Sequence, residues 1–595
     1  MIVYKAPLED LRFLLYELLD YEGAVTSLPG YEEAGRELAD SILAEAGRFC
    51  EKELLPLNQR GDLEGCVFAN GKVQTPRGFK EAYKKFTAAG WPGLVCARED
   101  GGQGLPMIFQ LILDELISST NLSFGIYAGL TNMAYQLLQR HGGEEQKRLI
   151  LPKLAAGVWS GTMCLTEAHC GSDLGLIRTR AEPESEGTYK ITGTKIFISG
   201  GEQDLTENII HMVLARLPQA PTGTSGLSLF IVPKLLFNKD GKCGAQNRVS
   251  CVSVEQKMGI RASATCVLNF DGAVGYLVGE PHRGMRIMFT MMNAARLAVG
   301  IQGLGLAETA YQSATAYARE RLQGRSLSGP KHADQPADPI MVHPDIRKML
   351  LTMRAFIQGA RALVLWTSVA HGRAARHRDL EERLAAEELV SLMTPIIKAF
   401  IADIGVEATN LGLQVFGGAG YIRDTGIEQL VRDARIAQIY EGTNGIQALD
   451  LAGRKLFQQN GRLLRRFFYP VSEFVEENSQ PAELQPFVLP LRQSLGWLQE
   501  ATLWLAEQGL TDRDEIGAAA SDYLRMFALV VLAYMWARMA KVALGKLGGE
   551  KDGFYRAKVS TARFYMSRLL PQTPGLLVAL KSGAAPIMEF REEWF

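Results

Sequence analysis

The chain has 595 residues, 47% of them hydrophobic and 22% charged, with a formal net charge of -1. That length exceeds one ordinary core and predicts several packed units. The composition is that of a globular protein, and the balanced charge argues against a polyanionic partner such as nucleic acid.

The first predicted stretch covers residues 1–30, where Leu11, Phe13, Leu14, Leu15, Leu18 and Leu19 make a helical apolar face that Pro29-Gly30 ends. The N-terminus has no apolar run before its charges, unlike a secretory signal. The second stretch, 31–159, reads as helical: Leu38, Ile42, Leu43 and Ala46 recur at helical spacing until Pro56 stops them, and Gln110–Ser119 and Asn132–Arg140 are two further helices.

The third stretch, 160–284, changes to short strands. Thr188 to Ile198 reads as two alternating runs around a Thr-Gly turn, and Ile209–Ala215, Leu227–Val232 and Cys266–Phe270 are strand-like. The fourth, 285–460, returns to long helices, with a wide stripe from Met349 to Val364 that suits a helix bundle and a Pro-rich loop at Ser326–Pro339. The fifth, 461–595, is a further helical unit. Its most apolar run, Met526 to Trp536, is too short to span a bilayer and reads as a buried helix. The expected architecture is α+β, helices flanking a small β unit, with added helices at both ends.

The 8 cysteines include no C-x-x-C pair, and their scatter fits a reducing compartment. The expected localisation is cytoplasmic, with a peripheral membrane contact left open. His141, His169, His282 and His343 are isolated, and neither H-E-x-x-H nor G-x-S-x-G occurs, so no metal site is expected.

Four constellations could carry chemistry. Leu165-Thr166-Glu167-Ala168-His169-Cys170-Gly171-Ser172-Asp173 offers hydroxyls and backbone N–H groups to an anionic or heteroaromatic ligand, and equally reads as a polar turn. Lys195-Ile196-Phe197-Ile198-Ser199-Gly200-Gly201 could form a flat apolar wall with a polar rim, or simply end a strand. Gln414 to Tyr421 contains Gly417-Gly418, which permits close backbone approach, but it is no dinucleotide fingerprint. In Arg432 to Gln447, Glu441 follows an apolar run that would raise its pKa towards that of a general base. The same Glu441 reads equally well as an acid capping the helix of Ile446-Gln447-Ala448-Leu449.

In this order and around this β unit, the four constellations resemble the acyl-CoA dehydrogenase family over roughly Leu38 to Leu456, and the two extensions resemble its long bacterial branch, which includes fatty acyl-CoA and 3-methylmercaptopropionyl-CoA dehydrogenases. The resemblance implies an N-terminal helical domain, a middle β-barrel-like domain, a C-terminal four-helix bundle, FAD, and a homodimer or higher homo-oligomer. It implies flavin contacts from Met163, Leu165, Thr166, Ser172, Phe197, Ile198, Ser199 and Thr443. Arg321, Gln414, Gly417 and Gly418 would reach a neighbouring subunit's FAD. Substrate contacts would come from Ser172, Asn293, Arg296, Tyr440 and Gly442, and Glu441 would be the base.

There are departures from the family pattern. Ala168 stands for a usual Pro, Phe197 for Trp, Gly324 for the Phe of an R-x-x-F-G segment, Asn293 for an acid, and Gly445 for a polar flavin contact. Some relatives carry their base on the helix holding Ala294-Ala295-Arg296, where neither alanine can take a proton.

The implied reaction is α,β-dehydrogenation of an acyl-CoA. Glu441 takes the α-proton, the flavin takes the β-hydride, and the Glu441 N–H and a ribityl hydroxyl stabilise the thioester oxygen. Electrons would pass to an electron-transfer flavoprotein. Three alternatives accompany this reading: a 3-(methylthio)propanoyl-CoA substrate, a flavin acyl-CoA oxidase, and a DNA-associated family member. The last is disfavoured because Glu473, Glu476 and Glu477 follow the basic cluster Arg462, Arg465 and Arg466.

Overall fold

The computed structural model describes residues 2–595 and is mostly helical. It divides into two compact units, Arg48–Ala298 and a second made of Met1–Gly47 with Val299–Phe595.

In the unit Arg48–Ala298, helices precede a sheet. Pro56 opens the helix Leu55–Glu64 instead of ending a helix. Proline is tolerated in a first turn, where its missing N–H has no helical partner anyway. The two helices expected at 110–119 and 132–140 belong to one run, Met107–His141, broken at Asn121 (φ -160°, ψ 85°). The Asn121 side chain accepts from the Phe124 N–H at 3.1 Å and so caps the second half.

The sheet has seven strands. Its order is Val249–Val254, Thr265–Val278, Thr188–Ser199, Arg180–Pro183, Asn208–Arg216, Trp159–Cys164, with Leu227–Pro233 paired to both Thr265–Val278 and Asn208–Arg216. Trp159–Cys164 and Val249–Val254 each have a single partner strand, so the sheet keeps two edges and the expected barrel is not closed. Thr188–Ser199 is one strand, not two runs around a turn. Its Gly193 marks a close approach: a Cβ there would meet Thr179 Oγ1 at 2.5 Å. One apolar core lies among Trp159, Ile210, Met212, Leu229 and Met288, and a second among Ile191, Val213, Phe230, Cys266 and Phe270.

The other unit is built of long helices, among them Pro344–Arg376, Leu380–Phe416, Gln485–Thr511 and Arg513–Leu544. Pro344–Arg376 packs on Leu380–Phe416, and Gln485–Thr511 on Arg513–Leu544. The helix Gly284–Glu320 contributes its residues from Val299 onward, and crosses Leu380–Phe416 closely enough that a Cβ on Gly405 would lie 2.6 Å from the Gly303 Cα. Gly284–Glu320, Leu380–Tyr421 and Arg513–Leu544 are long and apolar enough to cross a membrane by length and composition. The run Met526–Trp536 is thus part of a helix of 32 residues, and its side chains are buried.

Candidate functional site

The expected site residues fall into both units. In Arg48–Ala298, Met163 is half-buried on the strand Trp159–Cys164, which leads into Leu165 and Thr166. Glu167 and Cys170 exchange backbone hydrogen bonds of 2.9 and 3.0 Å, closing a tight turn that leaves Ala168 and His169 exposed at its tip. Ser172 is exposed in the following loop, where the neighbouring Asp173 carboxylate accepts from the Gly175 N–H at 2.9 Å.

Phe197 has φ 60° and is 59% exposed, while Ile198 is buried and Ser199 half-buried. A large apolar side chain held outward from left-handed backbone is costly twice over, in strain and in exposed apolar surface. Thr166 is tied to the residue before Phe197: the Ile196 N–H donates to the Thr166 carbonyl at 2.9 Å. Beneath them Lys195 and Glu167 form a buried ion pair at 2.8 Å.

The potential ligand atoms of Glu167, His169 and Cys170 lie within 4.8 Å of one another. The Lys195 ammonium already neutralises that carboxylate, which leaves little to attract a second cation. Asn293 is exposed on the helix Gly284–Glu320 and accepts from Arg296 Nη1 at 3.3 Å; Arg296 itself is buried.

In the helical unit, Glu441 and Gly442 both have left-handed backbone, φ 59° and 88°. Glycine adopts this freely, whereas glutamate does so at a cost that surrounding contacts must offset. Those contacts come from the helix Leu380–Phe416. Lys398, sealed from solvent, donates to Asn444 Oδ1 at 2.9 Å. Asn444 Nδ2 donates to the Ala399 carbonyl at 3.1 Å and to Asp403 at 2.7 Å, and Gln438 donates to the same Asp403 oxygen at 2.6 Å. Burial pushes the Asp403 carboxyl above the ordinary carboxylate range.

Tyr440, between these anchors, packs on Val299, Ala402 and Ala437 and donates its hydroxyl to Gln302. Burial, then the charges of Glu441 and Asp433, hold its phenol protonated. Glu441 is half-buried. The capping role that it could have filled belongs to Thr443, whose hydroxyl accepts from the Ile446 N–H at 3.3 Å at the start of Asn444–Leu449.

Gln414 lies in the last turn of the helix Leu380–Phe416, and the exposed Gly417 and Gly418 follow that helix with open space where side chains would stand. Arg321 is exposed, and its carbonyl accepts from the Ile340 N–H at 2.8 Å. The residues next in chain, around Gly324, are ordered by Asp338, whose carboxylate accepts from the N–H groups of Ser326, Lys331 and His332 at 2.8 to 3.2 Å.

Sequence reasoning missed Glu167 with Lys195, and Lys398 with Asp403 and Asn444. The available signal was chemical. Lys195 stands in an apolar strand and Lys398 in an apolar helix, and a lysine so placed almost always has a buried partner.

Four family profiles cover most of the chain: the acyl-CoA dehydrogenase N-terminal domain at residues 37–158, the middle domain at 162–273, the C-terminal domain at 282–456, and an acetyl-CoA dehydrogenase C-terminal-like domain at 467–591. A 3-methylmercaptopropionyl-CoA dehydrogenase of Ruegeria pomeroyi is 42% identical over 576 residues, 96% of each chain. A broad-specificity linear acyl-CoA dehydrogenase of Mycobacterium tuberculosis is 33% identical over 100% of both. In fold, an acyl-CoA dehydrogenase of Bacillus anthracis complexed with FAD aligns at TM-score 0.70 and 22% identity, over 97% of this chain and 95% of that one. By sequence and by domain order, the chain belongs to the acyl-CoA dehydrogenase family.

Proposed function

We propose that the chain is an FAD-dependent acyl-CoA dehydrogenase that converts an acyl-CoA thioester to the trans-2-enoyl-CoA, with Glu441 as the base. The observation that carries this reading is the loop Gln438–Asn444: its carboxylate stands on strained backbone, and a buried polar network holds it there. Strain kept in this way is characteristic of functional sites.

The residues fit the flavin. Phe197 stands exposed as one wall. Gly417 and Gly418 leave room for close approach. The buried Gln447 amide beside Gly442 has no hydrogen-bond partner among the described residues. Thr166, Phe197, Ile198 and Ser199 would hold the ring, and Arg321 with Gln414, Gly417 and Gly418 would hold the FAD of a neighbouring subunit, which makes the active form a homodimer or larger.

When bound, FAD supplies a ring nitrogen that accepts the β-hydride. Glu441 removes the α-proton, and its own N–H donates to the thioester oxygen as that oxygen gains charge. Tyr440 keeps its proton and bonds Gln302, so it does not compete with Glu441 for the substrate proton. Arg296 and Asn293, paired on one helix, are the candidates for orienting the CoA portion.

By analogy with the family, we place it in fatty acid β-oxidation in the cytoplasm with an electron-transfer flavoprotein as acceptor, and read its three long apolar helices as part of the fold and not as membrane spans, because 56 to 78% of each apolar window is buried. The four-helix bundle of the family belongs to the same reading. A 3-(methylthio)propanoyl thioester is the second substrate reading, supported by the 42% identity to the Ruegeria pomeroyi enzyme. The test is the Glu441→Gln variant. It is expected to retain FAD yet show no bleaching of the visible flavin band when acyl-CoA is added, and normal bleaching would refute the assignment. A panel of thioesters, including the methylthio compound, separates the two substrates, and oxygen uptake without an added acceptor would indicate an oxidase.

A further inference from the structure

The strand Thr188–Ser199 loses its alternation at Lys195. Lys195 opposes Leu268 and Ile198 opposes Cys266 on the neighbouring strand, so Ile196 and Phe197 together face the single residue Val267. This is a β-bulge, and its left-handed second residue turns Phe197 outward.

Lys195 precedes the bulge and points the other way, sealed from solvent. Its Nζ donates to the Leu165 carbonyl at 2.9 Å and to Glu167 Oε1 at 2.8 Å. Glu167 also accepts from the Arg178 N–H at 2.8 Å, the Thr179 N–H at 3.0 Å and the Thr179 hydroxyl at 2.6 Å. With the bond from Ile196 to Thr166, three consecutive residues, Leu165, Thr166 and Glu167, are tied in turn to Lys195 and Ile196.

Burial alone would raise the Glu167 carboxyl, but the Lys195 charge and the converging donors outweigh it and hold it at about 2. A buried ion pair is poor evidence of stabilisation, since an apolar pair of like volume often serves as well. What an apolar pair lacks is direction. Two charges held by five hydrogen bonds fix one geometry.

We propose that Lys195 and Glu167 are positioning residues for the cofactor: they lock the bulge, so that Thr166 and Phe197 present a preformed wall to the flavin ring. The proposal rests on the reading of these residues as the FAD site.

The double replacement Glu167→Gln with Lys195→Met removes both charges at similar volume. The expected result is a thermal midpoint close to that of the parent, an FAD Kd raised about tenfold and a perturbed visible flavin band. In the FAD-free protein, the amides of Ile196 and Phe197 should exchange faster. A purely structural pair would move the midpoint and FAD affinity together. Parent-like affinity, spectrum and exchange in the folded double variant overturn the proposal. Glu167→Asp is the second probe. It keeps both charges and shortens the carboxylate arm, so FAD should again bind more weakly, and a parent-like Kd overturns the proposal. A parent protein with no affinity for FAD would instead refute the functional reading, while amide exchange in the FAD-free variants still tests the lock.

Discussion

Arg361 pairs with Asp10 across 351 positions of chain, and both side chains are buried. Arg361 also donates to Glu308 at 2.6 Å, and Lys558 donates to the same Asp10 from the C-terminal region. Four elements thus meet in one neutral cluster of two acids and two bases. That cluster joins both chain ends to the helices carrying Glu308 and Arg361. Asp10→Ala leaves two buried cations facing one carboxylate. The expected loss is roughly 3–5 kcal/mol, the usual cost of breaking a buried pair on one side. Urea unfolding measures it, and a loss within error of zero would show that the cluster does not hold the ends.

The same carboxylate gives a pH dependence. Burial alone would raise the Asp10 pKa, but Lys558 and Arg361 outweigh it and the net shift is downward from 3.8. A depressed folded pKa means that the contribution is present above the unfolded value and disappears as pH falls through the lower folded one. The parent protein should therefore lose stability as it is acidified below about pH 4, in the range of an ordinary Asp pKa. In the Asp10→Asn variant this part of the acid sensitivity should be missing, which acid titration followed by circular dichroism would reveal.

Glu441 stands where glycine would be more comfortable. Left-handed backbone costs an L-residue about 1–2 kcal/mol, while glycine's extra freedom when unfolded costs roughly 0.5–1 kcal/mol. On the backbone contribution alone, Glu441→Gly should therefore leave folding stability unchanged or raise it by up to about 1.5 kcal/mol, while abolishing dehydrogenation. A substantial loss of stability would mean that the side chain, and not only its backbone position, contributes to the fold.

How much was legible beforehand differs between the two parts of the site. The strands Asn208–Arg216 and Leu227–Pro233 were visible as apolar, β-branched runs, because burial on both faces leaves such a signature. The bulge at Phe197 was not, because it depends on which residue of the partner strand stands opposite, and no local pattern records that. Thr192-Gly193 looked like a turn, but Gly193 is there to let Thr179 come close. The segment Arg432–Gln447 stands out in the sequence, yet the anchors of its loop sit on another helix some forty positions earlier, beyond the reach of local spacing. Local spacing leaves Glu441 equally a base or a cap, the family resemblance favours the base, and the structure gives the cap to Thr443.

Lys398 offers a way to loosen the loop without touching the carboxylate. Lys398→Met would remove the donor to Asn444 Oδ1 and leave the bonds from Asn444 to Ala399 and Asp403 in place. A base displaced by a fraction of an ångström loses much of its advantage, and a shift of 1 Å can cost about a hundredfold. The expected outcome is FAD binding as in the parent with flavin reduction slowed at least about tenfold, read by stopped-flow bleaching at saturating acyl-CoA. Parent-like reduction would show that Asn444 is held well enough by its other two partners.

Gly442 tests the same loop from the other side. Its φ is 88°, and a Cβ would lie 2.4 Å from Gln447 Nε2. Gly442→Ala therefore meets two obstacles, backbone strain and a steric clash, and they can be separated. Adding Gln447→Ala removes the clash and leaves the strain. If both matter, the single variant should lose most flavin reduction, and the double variant should recover part of it but not all. Full recovery would assign the requirement for glycine to the clash alone. No recovery would assign it to the backbone, and would make the Glu441–Gly442 conformation itself the property that the loop must keep.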